Sequence, residues 1–236
     1  MGKLKSGNLF VFVVENLIWV LVLVALVIFS LLSDNFLTPY NLINIFVRVA
    51  ALGLLVIGQS FTLITGNFDL SSESTMGLTA MVGGLLIAAA ETGGLGWQAN
   101  PLVAIAVMLV LGCVIGWING TLITRFKMNN FIVTVAMMFI LRGATYIISP
   151  GQSTSFFPEV FDFLGSGNVY RIAMANKRFL PIPAAAIFLI LMFAVAHVIT
   201  RYRRFGRNMY AVGSNRAAAE AAGIDSQRIV LSVYVI

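Results

Sequence analysis

Long apolar runs separated by short polar segments make up almost the whole chain. A helix needs about 20 apolar residues to cross a bilayer, and five runs are long enough. A sixth run is richer in Gly, Ser and Thr, and a seventh is cut off by the last residue, Ile236. The first six runs cover residues 11–32, 42–65, 72–90, 102–124, 131–149 and 181–199. We therefore predict an all-α, polytopic membrane protein with about six complete spans and the start of a seventh, forming one transmembrane domain over residues 1–236 whose C-terminal spans are missing.

Composition supports a membrane protein and argues against an enzyme. The chain is 59% hydrophobic and 10% charged, against about 25% charged residues in soluble domains. Its one cysteine, Cys113, and one histidine, His197, offer no set of metal ligands. The sequence contains no phosphate-binding loop for ATP and no serine-hydrolase or zinc-protease motif. We expect no catalytic residues, metal or cofactor.

The basic residues predict the orientation of the chain. The net charge is +6, but the basic residues cluster at the ends of apolar runs, which does not favour nucleic-acid binding. Cytoplasmic segments of membrane proteins are enriched in Lys and Arg. With a cytoplasmic N-terminus, the inner side holds ten basic residues and the outer side holds three. The inner ones are Lys3, Lys5, Arg125, Lys127, Arg201, Arg203, Arg204, Arg207, Arg216 and Arg228, and the outer ones are Arg171, Lys177 and Arg178.

This orientation places a long loop, residues 150–180, on the outer side. Loops of this length usually have a function or local structure, and this one contains four phenylalanines. They are Phe156, Phe157, Phe161 and Phe163. Two interpretations stay open: a docking surface for a soluble partner outside the cell, and a lid packed on the membrane surface by its aromatic side chains.

The inner loop, residues 200–227, contains a predicted short helix. Ser214 or Asn215 can cap its start, residues 216–222 are mostly strong helix formers, and Gly223 suits its end. The helix would be smooth and rich in alanine, which favours docking into a socket on a separate cytoplasmic protein. The residues assigned to this docking role are Ser214, Asn215, Arg216, Ala218, Glu220, Ala221 and Gly223.

A glycine repeat and one polar residue lie inside the apolar run 102–124. Gly112, Gly116 and Gly120 lie on one helix face, which predicts close helix packing. Asn119 would line a pathway or bond a neighbouring helix.

The segment 66–74 separates the second run from the third. Asp69 or Ser71 can cap the next helix, and Glu73 would lie near its positive end. The alternative is a re-entrant break whose polar groups face a translocation path, since irregular backbone at membrane depth is tolerated only next to a cavity or inside protein.

Arg142 lies near the middle of its run, where an arginine costs about 2.5–3.5 kcal/mol on insertion scales. It therefore needs a partner, and Asp69, Glu73 and backbone carbonyls are the candidates. We interpret Arg142 as a structural residue that holds neighbouring segments together near the pathway. Its replacement by alanine should therefore reduce the amount of folded protein.

Taken together, four segments resemble the permease subunits of the ribose/xylose/galactose type of carbohydrate ABC importer, a family that also has autoinducer-2 and nucleoside relatives. Residues 66–74 are similar to the family's Gly-Gly-Ile-Asp-Leu-Ser-Val-Gly-Ser, with Asn67 and Glu73 at positions where the family has glycine. Residues 119–143 resemble its Asn-Gly…Pro-Phe-Ile-x-Thr-Leu…Arg-Gly block. Residues 204–213 and 218–228 resemble its Phe-Gly-Arg-x-x-Tyr-Ala-x-Gly and Ala-Ala-x-x-x-Gly-Ile-x-x-x-Arg segments.

The resemblance implies a multi-pass protein of the bacterial inner membrane. Two permease subunits, identical or paralogous, would form a pore surrounded by lipid. A cytoplasmic ATPase would bind ATP and dock on residues 214–223 as the coupling helix, while an extracytoplasmic binding protein delivers a sugar or sugar-like solute. Two other classes stay open: an ion-coupled carrier working alone, which would use carboxylates at membrane depth, and a membrane scaffold that transports nothing.

Overall fold

The computed structural model describes residues 9–149, 159–173 and 179–236, and these residues are mostly helical. The helices are α1 (Leu9–Glu15), α2 (Leu17–Leu32), α3 (Pro39–Ile64), α4 (Ser72–Ile87), α5 (Pro101–Thr124), α6 (Asn130–Ile148), α7 (Glu159–Ser166), α8 (Ala184–Tyr202), α9 (Arg204–Ser214), α10 (Arg216–Ala221) and α11 (Ser226–Val235). Two strands, β1 (Asn168–Ala173) and β2 (Phe179–Pro183), lie between α7 and α8.

The number of full-length spans is smaller than the apolar runs predict. Among the described residues, α3, α5, α6 and α8 are long and apolar enough to cross a membrane. The first run is divided at Asn16, which separates α1 from α2, and α2 keeps only 16 residues. The run at 72–90 also yields a helix of 16 residues, α4, because the backbone becomes extended at Ala88. The chain is a polytopic helical membrane protein, and its exact number of spans stays a prediction.

An antiparallel hairpin corrects the all-α prediction. Strands β1 and β2 pair within and just beyond the predicted outer loop, with Arg171 opposite Pro181. Val169, Tyr170 and Ile172 are residue types that favour strands. Phe161 lies on α7 with Phe163, whereas Phe156 and Phe157 lie outside the described residues.

Buried side chains join the helices in three clusters, and α11 contributes to two of them. Val233 of α11 packs with α3, α8 and α9, and Val230 and Tyr234 of α11 pack with α5, α6, α9 and α10. The third cluster joins Leu78 of α4, Ile115 of α5 and Leu141 of α6. Helix α11 therefore connects the long helices to the short helices α9 and α10.

The segments predicted to be cytoplasmic share one end of the bundle, which we call the inner end. Residues from the 66–67 turn, from segment 123–130 and from segment 216–227 line one cleft there, of about 520 Å³. At the other end, the start of α3 and the hairpin line a second cleft of about 380 Å³. The side of the membrane that the inner end faces stays a prediction, which depends in part on Lys3, Lys5, Lys177 and Arg178 outside the described residues.

Two of the three glycines on α5 make the close contact predicted for them. A Cβ on Gly116 would collide with the carbonyl oxygen of Tyr234 on α11, and a Cβ on Gly120 would lie 2.7 Å from Leu231 Cδ1. Among the described residues, a Cβ on Gly112 would have no neighbouring heavy atom within 4 Å, so helix packing at Gly112 stays a prediction. The helix that approaches is α11, and its backbone can come this close because Gly116 and Gly120 have no side chains.

We expect Gly116→Ala to destabilise the protein, because the added methyl group forces α5 and α11 apart. Overpacking of this kind costs about 1–3 kcal/mol. Gly112→Ala is the matched control, because it makes the same chemical change on the same helix in open space and gains helix propensity. Thermal unfolding of the two purified variants in detergent measures the difference, and equal melting temperatures would contradict the close contact.

Candidate functional site

The short helix α10 forms where the sequence predicts it. The Asn215 side chain accepts a hydrogen bond from the backbone N–H of Ala218, at 3.0 Å, and so caps the helix. Ser214 is the last residue of α9, and its hydroxyl donates to the carbonyl of Tyr210 instead. Gly223 follows with a φ of 84°, in the left-handed region that glycine adopts without strain. Of the two predicted caps, Asn215 is the correct one, because Ser214 is still within α9.

Helix α10 turns almost all of its surface outward. Arg216, Ala218, Glu220 and Ala221 are exposed, whereas Ala219 is buried in the cluster formed with α11, α5, α6 and α9. Arg216 and Glu220 form an exposed ion pair at 3.2 Å along the helix. One small buried side chain therefore anchors the helix, and a smooth surface with one acidic and one basic residue faces away from the bundle.

Helix α9, which sequence analysis did not predict, supports α10. Met209 and Val212 on its inner face are buried, and Gly213 packs against the backbone carbonyl of Ile64 at the end of α3. Phe205, Met209 and Val212 recur at helical spacing, and this periodicity is the signal that could have predicted the helix. The position of α10 is thus coupled to the end of α3 through α9.

Asp69 bonds the turn just before α4, whose N-cap residue is Ser71 and has no side-chain capping bond. Its Oδ1 accepts hydrogen bonds from the Ser71 N–H, at 2.8 Å, and from the Ser71 hydroxyl, at 2.6 Å. Its Oδ2 accepts from the Ser72 hydroxyl at 3.0 Å. Gly66 turns the chain with a φ of 76°. Both carboxylate oxygens of Asp69 are therefore occupied by local bonds to the backbone turn and its side chains.

The break is also recessed into the bundle. The Tyr234 hydroxyl donates to the carbonyl of Phe68 at 2.7 Å, and Tyr234 lies eight residues along α11, or about 12 Å from its first residue. With 16 residues, α4 is about 24 Å long, which is short for a full span. Segment 66–71 is therefore tied to the bundle through the Phe68 carbonyl and the buried Ser71, whereas Gly66, Phe68 and Leu70 stay exposed.

Asn119 is buried and connects α5 to this break. Only 1% of its surface is exposed, and its Nδ2 donates to the Ser71 hydroxyl at 2.9 Å. The bonding alternative for Asn119 is thus the one observed. Among the described residues, its Oδ1 has no hydrogen-bond partner. Asp69, Ser71 and Asn119 form one connected set, and Tyr234, which sequence analysis missed, bonds the same loop from 166 positions away.

Arg142 pairs with Glu73, one of its predicted partners. Arg142 Nη2 lies 2.9 Å from Glu73 Oε2, and the side chains are 54% and 68% exposed. Exposed ion pairs contribute little to stability, which weakens the interpretation of Arg142 as structural glue. Arg142 therefore lies outside the hydrogen-bonded set of Asp69, Ser71 and Asn119.

Comparison with known proteins places these features in a family of permeases. The family described as branched-chain amino acid transport system / permease component matches residues 41–236. The ribose import permease protein RbsC of Escherichia coli K12 is 32% identical over 224 residues, covering 93% of this chain and 64% of the relative. The L-arabinose ABC transporter permease protein AraH of Azospirillum brasilense is 34% identical over 219 residues, covering 92% of this chain and 59% of the relative.

A fructose import permease protein, FruG of Bifidobacterium longum, is 31% identical over 194 residues, which cover 81% of this chain and 54% of the relative. The chain thus spans less than two thirds of the length of these three relatives. No solved structure matches it.

We expect Ser71→Ala to lower the free energy of unfolding by about 1–3 kcal/mol, because it leaves the buried Asn119 Nδ2 without its bond partner and removes one of the hydrogen bonds to Asp69. Adding Asn119→Ala to Ser71→Ala should cost less than the sum of the two single changes, since both remove the same hydrogen bond. Unfolding by dodecyl sulfate measures all three variants. Ser60→Ala is the control, because the Ser60 hydroxyl bonds only the Val56 carbonyl of its own helix; strictly additive costs would show that the Ser71–Asn119 bond contributes nothing.

Proposed function

This chain belongs to the branched-chain amino acid transport system / permease component family, and we propose that it is the membrane-spanning permease subunit of an ATP-driven importer for a sugar or sugar-like small solute. Three relatives are named as permeases for ribose, L-arabinose and fructose. One observation in the structure carries the proposal: α10 presents an exposed, alanine-rich surface at the end of the bundle where three connecting segments meet.

In this proposal, α10 is the coupling helix and docks in a socket on a cytoplasmic ATPase. The residues of the docking surface are Ser214, Asn215, Arg216, Ala218, Glu220, Ala221 and Gly223. Small side chains suit a close fit, because they leave the helix backbone near the partner. The partner binds and hydrolyses ATP, so this chain needs no cofactor or catalytic residue of its own.

Movement of α10 has a route to the wall of the pore. Helix α9 carries α10 and packs on the end of α3 through Gly213 and Ile64, and α11 packs on α10 through the cluster around Ala219. Tyr234 of α11 bonds the break beside α4. Closure of the ATPases would shift these helices and change the side to which the pore opens. A ligand drives such a change only by binding one state better than the other.

The remaining partners follow from the same proposal. A second permease subunit, identical or paralogous, completes the pore within the lipid of the bacterial inner membrane. A binding protein outside the cell docks at the outer end, where α7 and the hairpin lie. An ion-coupled carrier is disfavoured, because Asp69 is bonded to Ser71 and Ser72 and Glu73 is paired with Arg142.

We expect Glu220→Lys to disrupt docking of the ATPase and leave membrane insertion intact, because the new charge repels Arg216 on the exposed surface of α10. Binding should weaken about tenfold or more, the usual result of reversing a charge in an interface. The measurement is co-purification of the ATPase with the full-length tagged permease in mild detergent, together with ATP-dependent uptake.

Glu91→Lys is the matched control, because it makes the same charge change at an exposed residue in the 3₁₀ turn that follows α4. Unchanged co-purification and uptake in the Glu220 variant would overturn the assignment of α10. A wild-type permease that binds no ATPase but still transports would favour the ion-coupled carrier, and stable complexes without transport would favour the scaffold.

A further inference from the structure

The ion pair joins Arg142, which lies well inside α6, to Glu73, the second residue of α4. Arg142 is twelve residues into α6, about 18 Å from the first residue, and Ile148 ends the helix about 9 Å beyond it. Both side chains are nevertheless more than half exposed. Charged groups at such a depth do not face lipid; they face water or protein. The exposed side of this pair is therefore a polar surface inside the membrane region.

Open space adjoins the pair on both helices. Gly77 lies one turn beyond Glu73 on α4, and Gly143 follows Arg142 on α6. A Cβ at either glycine would have no neighbouring heavy atom within 4 Å among the residues that the structure describes. Ala80, a further turn along α4, is exposed on the same face as Glu73 and Gly77. The surface beside Glu73 thus carries small residues at Gly77 and Ala80 and has room for a solute, while the exposed aromatic side chains of Phe139 and Tyr146 flank Arg142 on α6.

The pair combines free donors and acceptors with a balanced charge. A guanidinium carries five N–H donors and a carboxylate has two acceptor oxygens, and the observed bond joins Arg142 Nη2 to Glu73 Oε2. No other hydrogen bond to either side chain occurs within the described parts of the chain. Asp69 adds little to this surface, because its oxygens are bonded to Ser71 and Ser72 at the positive end of α4.

We propose that Glu73 and Arg142 line the water-filled solute path as a charge-balanced pair, which suits uncharged polyhydroxylated solutes and disfavours anions. This rests on the proposed function, because it needs a path for a solute. Each solute hydroxyl can donate to the carboxylate and accept from the guanidinium. An arginine without its glutamate would concentrate anions in the path, and a glutamate without its arginine would concentrate cations.

The charge of the path can be tested with thiol reagents on Gly77→Cys. The variant is built in the cysteine-free full-length permease, assembled with its partners in membranes, and treated with membrane-impermeant methanethiosulfonates. One reagent carries a sulfonate and the other a trimethylammonium group. We expect Gly77→Cys to react with both. Ile140→Cys is the control, because Ile140 is exposed two residues before Arg142 but points to another side of α6, and we expect it to stay unreacted.

The ratio of the two labelling rates then tests the ion pair itself. Added to Gly77→Cys, Glu73→Gln should raise the ratio of anionic to cationic labelling about tenfold, and Arg142→Gln should lower it about tenfold, as expected for one uncompensated charge nearby. The double variant Glu73→Gln with Arg142→Gln should restore the ratio. If Arg142→Gln does not fold, the change in the labelling ratio caused by Glu73→Gln alone tests the inference.

Two results would overturn the inference: labelling of Gly77→Cys as slow as that of Ile140→Cys, or a ratio that Glu73→Gln leaves unchanged. ATP-dependent uptake of radioactive ribose, arabinose and fructose is measured on complex that has not been treated with the thiol reagents. Co-purification of the ATPase is measured on the same complex. A complex that binds its ATPase and imports solute while Gly77→Cys stays unreacted would retain the proposed function and reject the path assigned to this pair.

Discussion

Close contact between the backbones of α5 and α11 determines where the other polar parts of the molecule lie. Gly116 and Gly120 have no side chains to hold the helices apart, so Tyr234 and Leu231 approach α5 directly. This brings the Tyr234 hydroxyl to the carbonyl of Phe68. The same helix carries Val230 into the cluster that anchors α10. Helix packing at two glycines thus sets the positions of both the recessed break and the exposed docking helix.

The recessed break satisfies its polar groups by different means on its two sides. Toward the bundle, Asp69, Ser71, Asn119 and Tyr234 form hydrogen bonds among buried or half-buried groups. Toward the open side, Glu73 is bonded to Arg142 and both remain exposed. A buried polar group without a bond is costly, whereas an exposed charge in water is not. The difference between the two sides is what one expects of a wall that separates protein from a water-filled path.

Local signals in the sequence predict the local structures well. The cap at Asn215 and the turn at Gly223 depend on neighbouring residues, and the structure confirms both, whereas Asp69 bonds the turn before α4 and does not cap the helix. Sequence alone named Glu73 only as one of several partners for Arg142, and it missed Tyr234. The contact between Glu73 and Arg142 spans 69 positions of the chain and that between Phe68 and Tyr234 spans 166, so no local pattern indicates them. Sequence alone also missed α9 and the hairpin, since their short amphipathic patterns stand beside much stronger apolar runs. Spacing places Gly112 on the face of Gly116 and Gly120, but it does not predict how far α11 extends along that face.

The attachment of α10 has a consequence for how such proteins diverge. Ala219 is its buried anchor, a single residue in extended conformation, Asn215, separates it from α9, and the rest of its surface is exposed. Substitutions on that surface leave the packing of the long helices untouched. The bundle can therefore keep one architecture while substitutions change what the exposed surface of α10 binds. On the proposed docking role of α10, compatibility with a partner can change in a few mutational steps without passing through a misfolded intermediate.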